Sequence, residues 1–413
     1  MDIVPDEVLL MIFDRLTPGE LLGAVSQVCK RWATLAAHRA QLIHREDQLQ
    51  TLNRGVRGVR VLTRLARSEL YKLLDVRNLR DITICSATPL PSECFQALAA
   101  LEHLEHLDVF LHERLLDTSM MSTLVRLRSV VINEMISPGV LSALAVSERL
   151  EALHMYGRAL YFPRRDLMKF LTAHRSQLRE LTLRCTEVHD NAYAAIGQCD
   201  SLVSLQLYSC WLMRGAGALE VTRPPLLRRL HVTGARMVRA KGLNAFLLRL
   251  PPQLEELVLS VSAFSDKHIS ALENLTKLRV LELWRCRLSG EGVLALARTV
   301  LSLCILDLDI LLTNKQIQEL DKHPNLLNLR CLTDCSSKYV WPPVEVSKTN
   351  EDQEVKTQKL NVLNTNEVYS HKYFRGNGEG YRGSLFYYWT QKMHLHPAER
   401  KIFPGFDESE DFY

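Results

Sequence analysis

Leu278-x-x-Leu281-x-Leu283, followed by Cys286, Leu288, Gly290 and Gly292 and then by leucines at helical spacing, is the pattern this chain repeats most. Its first half alternates apolar and polar residues, as a short strand does, and its second half reads as a helix. Neither half has a second apolar face, so the unit can bury its leucines only against a copy of itself. One copy buries roughly five or six apolar side chains at about 2 kcal/mol each. Ordering two dozen residues costs about 1.5 kcal/mol per residue, so a lone copy cannot stay folded.

Copies recur at intervals of about 23 to 28 residues. The apolar triplets are Val56/Val59/Val61, Leu79/Ile82/Ile84, Leu104/Leu107/Val109, Leu127/Val130/Ile132, Leu150/Leu153/Met155 and Leu178/Leu181/Leu183. They continue as Leu202/Leu205/Leu207, Leu227/Leu230/Val232, Leu254/Leu257/Leu259, Leu278/Leu281/Leu283, Leu303/Leu306/Leu308 and Leu326/Leu329/Cys331. Residues 56–335 are therefore expected to form an α/β solenoid of about twelve strand-turn-helix repeats with parallel strands.

Composition narrows the function. With 51 Lys and Arg against 47 Asp and Glu, the net charge of +4 implies no nucleic-acid partner. No apolar run approaches the roughly 20 residues that span a bilayer, and no membrane partner is expected. The opening Met1-Asp-Ile-Val-Pro-Asp-Glu7 has no basic region leading an apolar one, so cytosol or nucleus is the expected location. The 10 cysteines contain no C-x-x-C and read as small core residues rather than disulfides or zinc ligands. Cys210 and Cys286 share one offset behind their strands and read as a buried turn position.

Residues 4–37 have a different character. Pro5 stands where a helix can begin, and Val8, Leu9, Ile12, Phe13 and Leu16 are placed on one side of it. Thr17, Pro18 and Glu20 have the spacing of a capping box that opens a second helix bearing Leu21, Leu22 and Val25. A third begins near Val28-Cys29-Lys30-Arg31-Trp32. Three helices this small expose more apolar surface than their own core absorbs, which marks a partner site.

From Val4-Pro5-x-Glu7-x-Leu9 through Ile12-Phe13-x-x-Leu16 and Leu21-Leu22 to Val28-Cys29-Lys30-Arg31-Trp32, the segment resembles the F-box motif. Position 4 carries Val where that family usually has Leu. With the repeats behind it, the chain resembles F-box and leucine-rich-repeat proteins, and its C-x-L-S-G-x-G portion is similar to the cysteine-containing class. The resemblance implies docking on a Skp-type adaptor, and through it on a cullin and a RING protein. The matching contact positions are Pro5, Leu9, Ile12, Phe13, Leu16, Leu21, Val28, Cys29 and Trp32. It also implies a non-catalytic substrate receptor of a ubiquitin ligase that acts by effective concentration. A scaffold that binds the adaptor without driving degradation is the alternative.

The expected organisation is an F-box at 1–40, a helical linker at 41–55, the repeats at 56–335 and a largely irregular tail at 336–413. The arginines between 54 and 80 read as a solvated face of the first repeats. In the repeats the resemblance places the strands on a concave face, lined by residues at offsets two, four and six from the first leucine. Tyr156, Arg184, Tyr208, Arg229, His231 and Trp284 occupy such positions. They are expected to face solvent and capture a protein substrate, acidic or phosphorylated in character. The tail pairs a polar linker at 345–368 with a segment crowded with aromatic residues.

No enzyme chemistry emerges. Gly378-Glu-Gly380-Tyr-Arg-Gly383 follows His, Lys and Arg rather than an apolar strand, so no nucleotide site is expected. His103, His106 and His112 lack a cysteine or acid cluster, so neither metal nor cofactor is expected. Cys29 is assigned to the apolar core of the third helix rather than to nucleophilic work.

Overall fold

The computed structural model describes residues 4–13, 15–16, 21–22, 24–43, 56–61, 76, 78–86, 92–111, 122–132, 139–156, 164–184, 188, 190–210, 212–234, 240–261, 263–333 and 361–364. The chain divides between Arg184 and Cys185 into two compact units.

Among the described residues the first unit opens with the helix Asp6–Phe13, helical residues Leu21 and Leu22, a 3-10 turn at Val25–Gln27 and the helix Lys30–Ala37, the third in chain order. Seven strands follow: β1 (Ala40–Ile43), β2 (Gly58–Val61), β3 (Asp81–Ser86), β4 (His106–Leu111), β5 (Ser129–Ile132), β6 (Ala152–Met155) and β7 (Glu180–Arg184). Each pairs in parallel with the next. Helices such as Arg164–Ala173 carry the chain back between strands.

The second unit repeats the scheme with β8 (Ser204–Tyr208), β9 (Arg229–Val232), β10 (Glu256–Ser260), β11 (Val280–Trp284), β12 (Ile305–Leu312), β13 (Asn328–Thr333) and β14 (Asn361–Asn364). These strands too are parallel in chain order. No helix among the described residues is long and apolar enough to cross a membrane.

The triplets read from the sequence are the core. Leu205, Leu230, Leu257, Leu281, Leu306 and Leu329 lie side by side in register and are fully buried. Equivalent positions in the first unit, from Val59 to Leu181, are buried in the same way. A shared backbone rung sets the register. The carbonyl one residue past the first leucine accepts two N–H groups from the next repeat: Arg228 from Glu255 and Glu256, Glu255 from Arg279 and Val280, Arg279 from Cys304 and Ile305. The rung involves only backbone at the strand entrance. Helices and loops between rungs can therefore vary in length, as the uneven repeat spacing requires.

Three of the turns behind a strand in the second unit share one backbone conformation. Ser209, Gly234 and Arg285, each seven residues past its first leucine, are left-handed with φ of 56°, 67° and 56°. Ser209 and Arg285 bear the cost of a Cβ there, and Gly234 does not. A Cβ on Gly234 would stand 2.8 Å from Ser209 Cα, so the glycine also admits a backbone approach. At the next offset, Cys210 is buried and Cys286 half-buried, with burial pushing the Cys286 thiol up to about 11. The Ser-Gly-x-Gly that follows is a helix start. Ser289 Oγ accepts the Gly292 N–H at 2.9 Å, and its own N–H and hydroxyl donate to Asp266 of the preceding repeat.

Two expectations about boundaries change. The helical linker expected at 41–55 begins instead inside a strand: Ala40 is fully buried, and the Arg39 carbonyl accepts Arg57 and Gly58 N–H at 3.0 Å each. The rung extends one repeat earlier than the leucines do, because it needs no leucine and covers the open edge of β2. Likewise Asn361–Asn364, within the polar linker, pairs Val362 with Leu329 and Leu363 with Arg330. Four polar-flanked residues can add to a sheet edge through backbone bonds alone. The capping box at 17–20, Arg54, Arg64, Arg67, Arg77, His112, the Gly378–Gly383 segment and the tail aromatics lie outside the described residues. Of the described arginines in that first stretch, Arg80 is half-exposed and lies 3.8 Å from Glu105.

Candidate functional site

The helix Asp6–Phe13 is apolar on more than one side. After Asp6 and Glu7 at its start, every residue is hydrophobic. Leu9 and Phe13, one turn apart, fill a core with Leu21, Val25, Leu35, Ala36 and Ala40, against which Leu10, Leu16, Leu22 and Trp32 pack. Phe13 meets Trp32 edge to face with centroids 5.6 Å apart. The remaining stripe looks outward: Val8 is 43% exposed, Met11 68% and Ile12 49%. Val4, Pro5, Val28 and Cys29 are exposed as well. A helix hydrophobic all round belongs in a buried setting, and here half of it has none within the described residues.

The expected contact set therefore splits in two. Leu9, Phe13 and Leu21 are core residues, with Leu16 and Trp32 half-buried, and Pro5, Ile12, Val28 and Cys29 are surface residues. Cys29 is not in the core of the third helix; it is that helix's exposed N-cap residue. Placing Val8, Leu9, Ile12, Phe13 and Leu16 on one side was too coarse, because a stripe that wide exceeds what three short helices can enclose. Val8 and Met11 were missed as surface candidates, although the unbroken apolar run from Val8 to Phe13 signals two faces.

The strand face also departs from expectation. Tyr208 and His231 are buried, whereas Tyr156, Arg184, Arg229 and Trp284 are half-buried. Within the second unit His231 stands in register with Gln206 and Val258, and Arg229 between Ser204 and Glu256. His231 Nε2 lies 2.6 Å from Glu256 Oε1, and the Tyr208 hydroxyl donates to Gln206 Oε1 at 3.0 Å. Parallel strands in register set equal offsets about 4.8 Å apart, so medium side chains at offset four wall one another in. Gln206, His231, Val258, Glu282 and Asp307 are all buried for that reason.

In the first unit Tyr156 is half-buried, and burial pushes its phenol up to about 12. His154 Nδ1 is 2.8 Å from Thr182 Oγ1 and its Nε2 is 3.6 Å from Glu180. A carboxylate, an imidazole and a hydroxyl in sequence resemble a hydrolytic arrangement, but Thr182 is 0% exposed and cannot reach a substrate. No group of three metal-ligating side chains occurs among the described residues.

Asp81 gives this face a pH dependence. Burial, together with Asp108 and Glu105, lifts its carboxyl from 3.8 to about 7, with Arg80 opposing, and burial also lowers the neighbouring His106. The folded state holds a proton that the unfolded chain releases near 3.8, so this group's contribution is complete below that pH and is lost as pH rises through about 7. Asp81→Asn is expected to raise the melting temperature at pH 8 by roughly a few degrees and to leave it unchanged near pH 4. Thermal denaturation at both pH values checks it.

The family model described as F-box-like matches residues 1–47. The search of curated proteins finds no match. Among solved structures, the yeast complex of Rad7 and Elc1 aligns at TM-score 0.49 and 15% identity, covering 83% of this chain and 93% of that one. A complex of TLR13 with the single-stranded RNA ssRNA13 aligns at TM-score 0.44 and 17% identity, covering 69% of this chain and 42% of that one. The exposed stripe of the first helix and the exposed residues Val28 and Cys29 fall within the matched segment, and residues 1–47 are accordingly an F-box-like domain.

Proposed function

We propose that this chain is a substrate receptor of a Skp-cullin-F-box ubiquitin ligase, a non-catalytic subunit acting in the cytosol or nucleus. The observation that carries the reading is the outward stripe of Val8, Met11 and Ile12 on a helix whose other side already fills a core. Covering each such partly exposed side chain gains on the order of 1 kcal/mol, so the stripe would act as the apolar centre of a larger adaptor contact. The F-box-like match supports a Skp-type adaptor as that partner. The leucine-rich pattern offers strand-face candidates for a protein substrate in each unit separately, half-buried Tyr156 and Arg184 in the first and half-buried Arg229 and Trp284 in the second. His231 contributes through Glu256 rather than through direct contact, which removes one of the groups that favoured an acidic substrate.

Ala40 belongs both to the helical core and to β1. The proposed adaptor-binding helices are thus joined to the first strand of the array through Ala40, which would restrain how far the nearest repeats move from the ligase. The test is reconstitution of the full chain with the Skp-type adaptor, a cullin and its RING protein. Co-elution of all four with ubiquitin transfer to a bound protein supports the receptor reading. Adaptor binding with no cullin recruitment would support a scaffold instead, and no adaptor binding would end both.

A further inference from the structure

Arg31 grips the chain just ahead of the first helix. Its Nε donates to Asp6 Oδ1 at 2.8 Å and its Nη2 donates to the Val4 carbonyl at 2.6 Å. The next residue, Trp32, meets Phe13 at the other end of that helix. Adjacent side chains on Lys30–Ala37 therefore hold both ends of Asp6–Phe13, one by packing and one by a charged fork. The two contacts differ in kind. Phe13 is 1% exposed and fastens the core, whereas Arg31 and Asp6 side chains are 32% and 53% exposed, a setting in which an ion pair adds little to folding.

We propose that Arg31 is a positioning residue for partner docking: it holds Val4 and Pro5 in line with the exposed stripe so that the surface meets the adaptor already formed. The inference rests on the adaptor reading above. Two acceptors, one a backbone carbonyl and one a carboxylate, are bridged by one planar group, a geometry that a guanidinium provides and an ammonium does not. Without the fork, Val4 and Pro5 lose this tie to the helix Lys30–Ala37 while Leu9 and Phe13 stay packed. The adaptor must then order that segment itself, and affinity falls by the cost of ordering it.

The experiment measures adaptor affinity and melting temperature for the full chain and for Arg31→Ala, Arg31→Lys, Asp6→Ala, the Arg31→Ala/Asp6→Ala double variant and Ile12→Glu. Arg31→Ala is expected to weaken binding about five- to tenfold with no change in melting temperature. Arg31→Lys should recover only part of that loss, and the double variant should bind as Arg31→Ala does. Unchanged affinity in Arg31→Ala, full recovery by lysine, or a fall in melting temperature that matches the affinity loss would each overturn the proposal. Ile12→Glu separates the two ideas: if it too leaves affinity unchanged, the adaptor reading fails, and if it alone abolishes binding, only the Arg31 role does.

Discussion

Met11→Glu with Ile12→Glu is expected to abolish adaptor binding, by at least about a hundredfold, while the chain stays folded. Both residues lie on the outward stripe, 68% and 49% exposed, and neither belongs to the helical core. Removing two apolar contacts at on the order of 1 kcal/mol each accounts for part of that size, and burying two unpaired carboxylates supplies the rest. Folding is spared because glutamate suits an exposed helix position and loses nothing there. Binding to purified Skp-type adaptor, alongside amide exchange across residues 6–37, checks both halves. Retained binding would mean that this stripe is not the docking surface.

Phe13→Ala should also eliminate adaptor binding, for the opposite reason. Among the described residues Phe13 is the largest of seven buried in a very small core, and it is the edge-to-face partner of Trp32. Truncating a buried phenylalanine costs about 3–5 kcal/mol. That is comparable to everything a core of this size supplies, so the helices should unfold locally. The repeats should persist, because each depends chiefly on its neighbours. Amide protection is expected to vanish over residues 6–37 and to remain over β8–β13. Loss of protection across the repeats as well would show that the helical core and the array fold as one cooperative block. Charging Leu9 or Phe13 therefore cannot test docking, since either change destroys the surface along with the fold that presents it.

Periodicity alone located the repeats. From Val56 to Cys331 the spaced apolar residues are buried in the structure, because an amphipathic strand that must pair with its own copies has one register that hides its leucines. The helices Asp6–Phe13 and Lys30–Ala37 were legible as elements, since short-range apolar spacing is a local signal, although their inward faces were not. Three matters needed the tertiary structure. Strand β1 and strand β14 join the sheet through backbone bonds that carry no side-chain signature. On the strand face, alternation identifies which residues leave the leucine core, but the closeness of neighbouring strands decides that His231 and Tyr208 are enclosed and Trp284 and Arg229 are not. In the first helix, composition showed an excess of apolar surface. Only the packing of Leu9 and Phe13 against Leu35, Ala36 and Ala40 determined which residues of that helix face inward, and so left Val8, Met11 and Ile12 facing out.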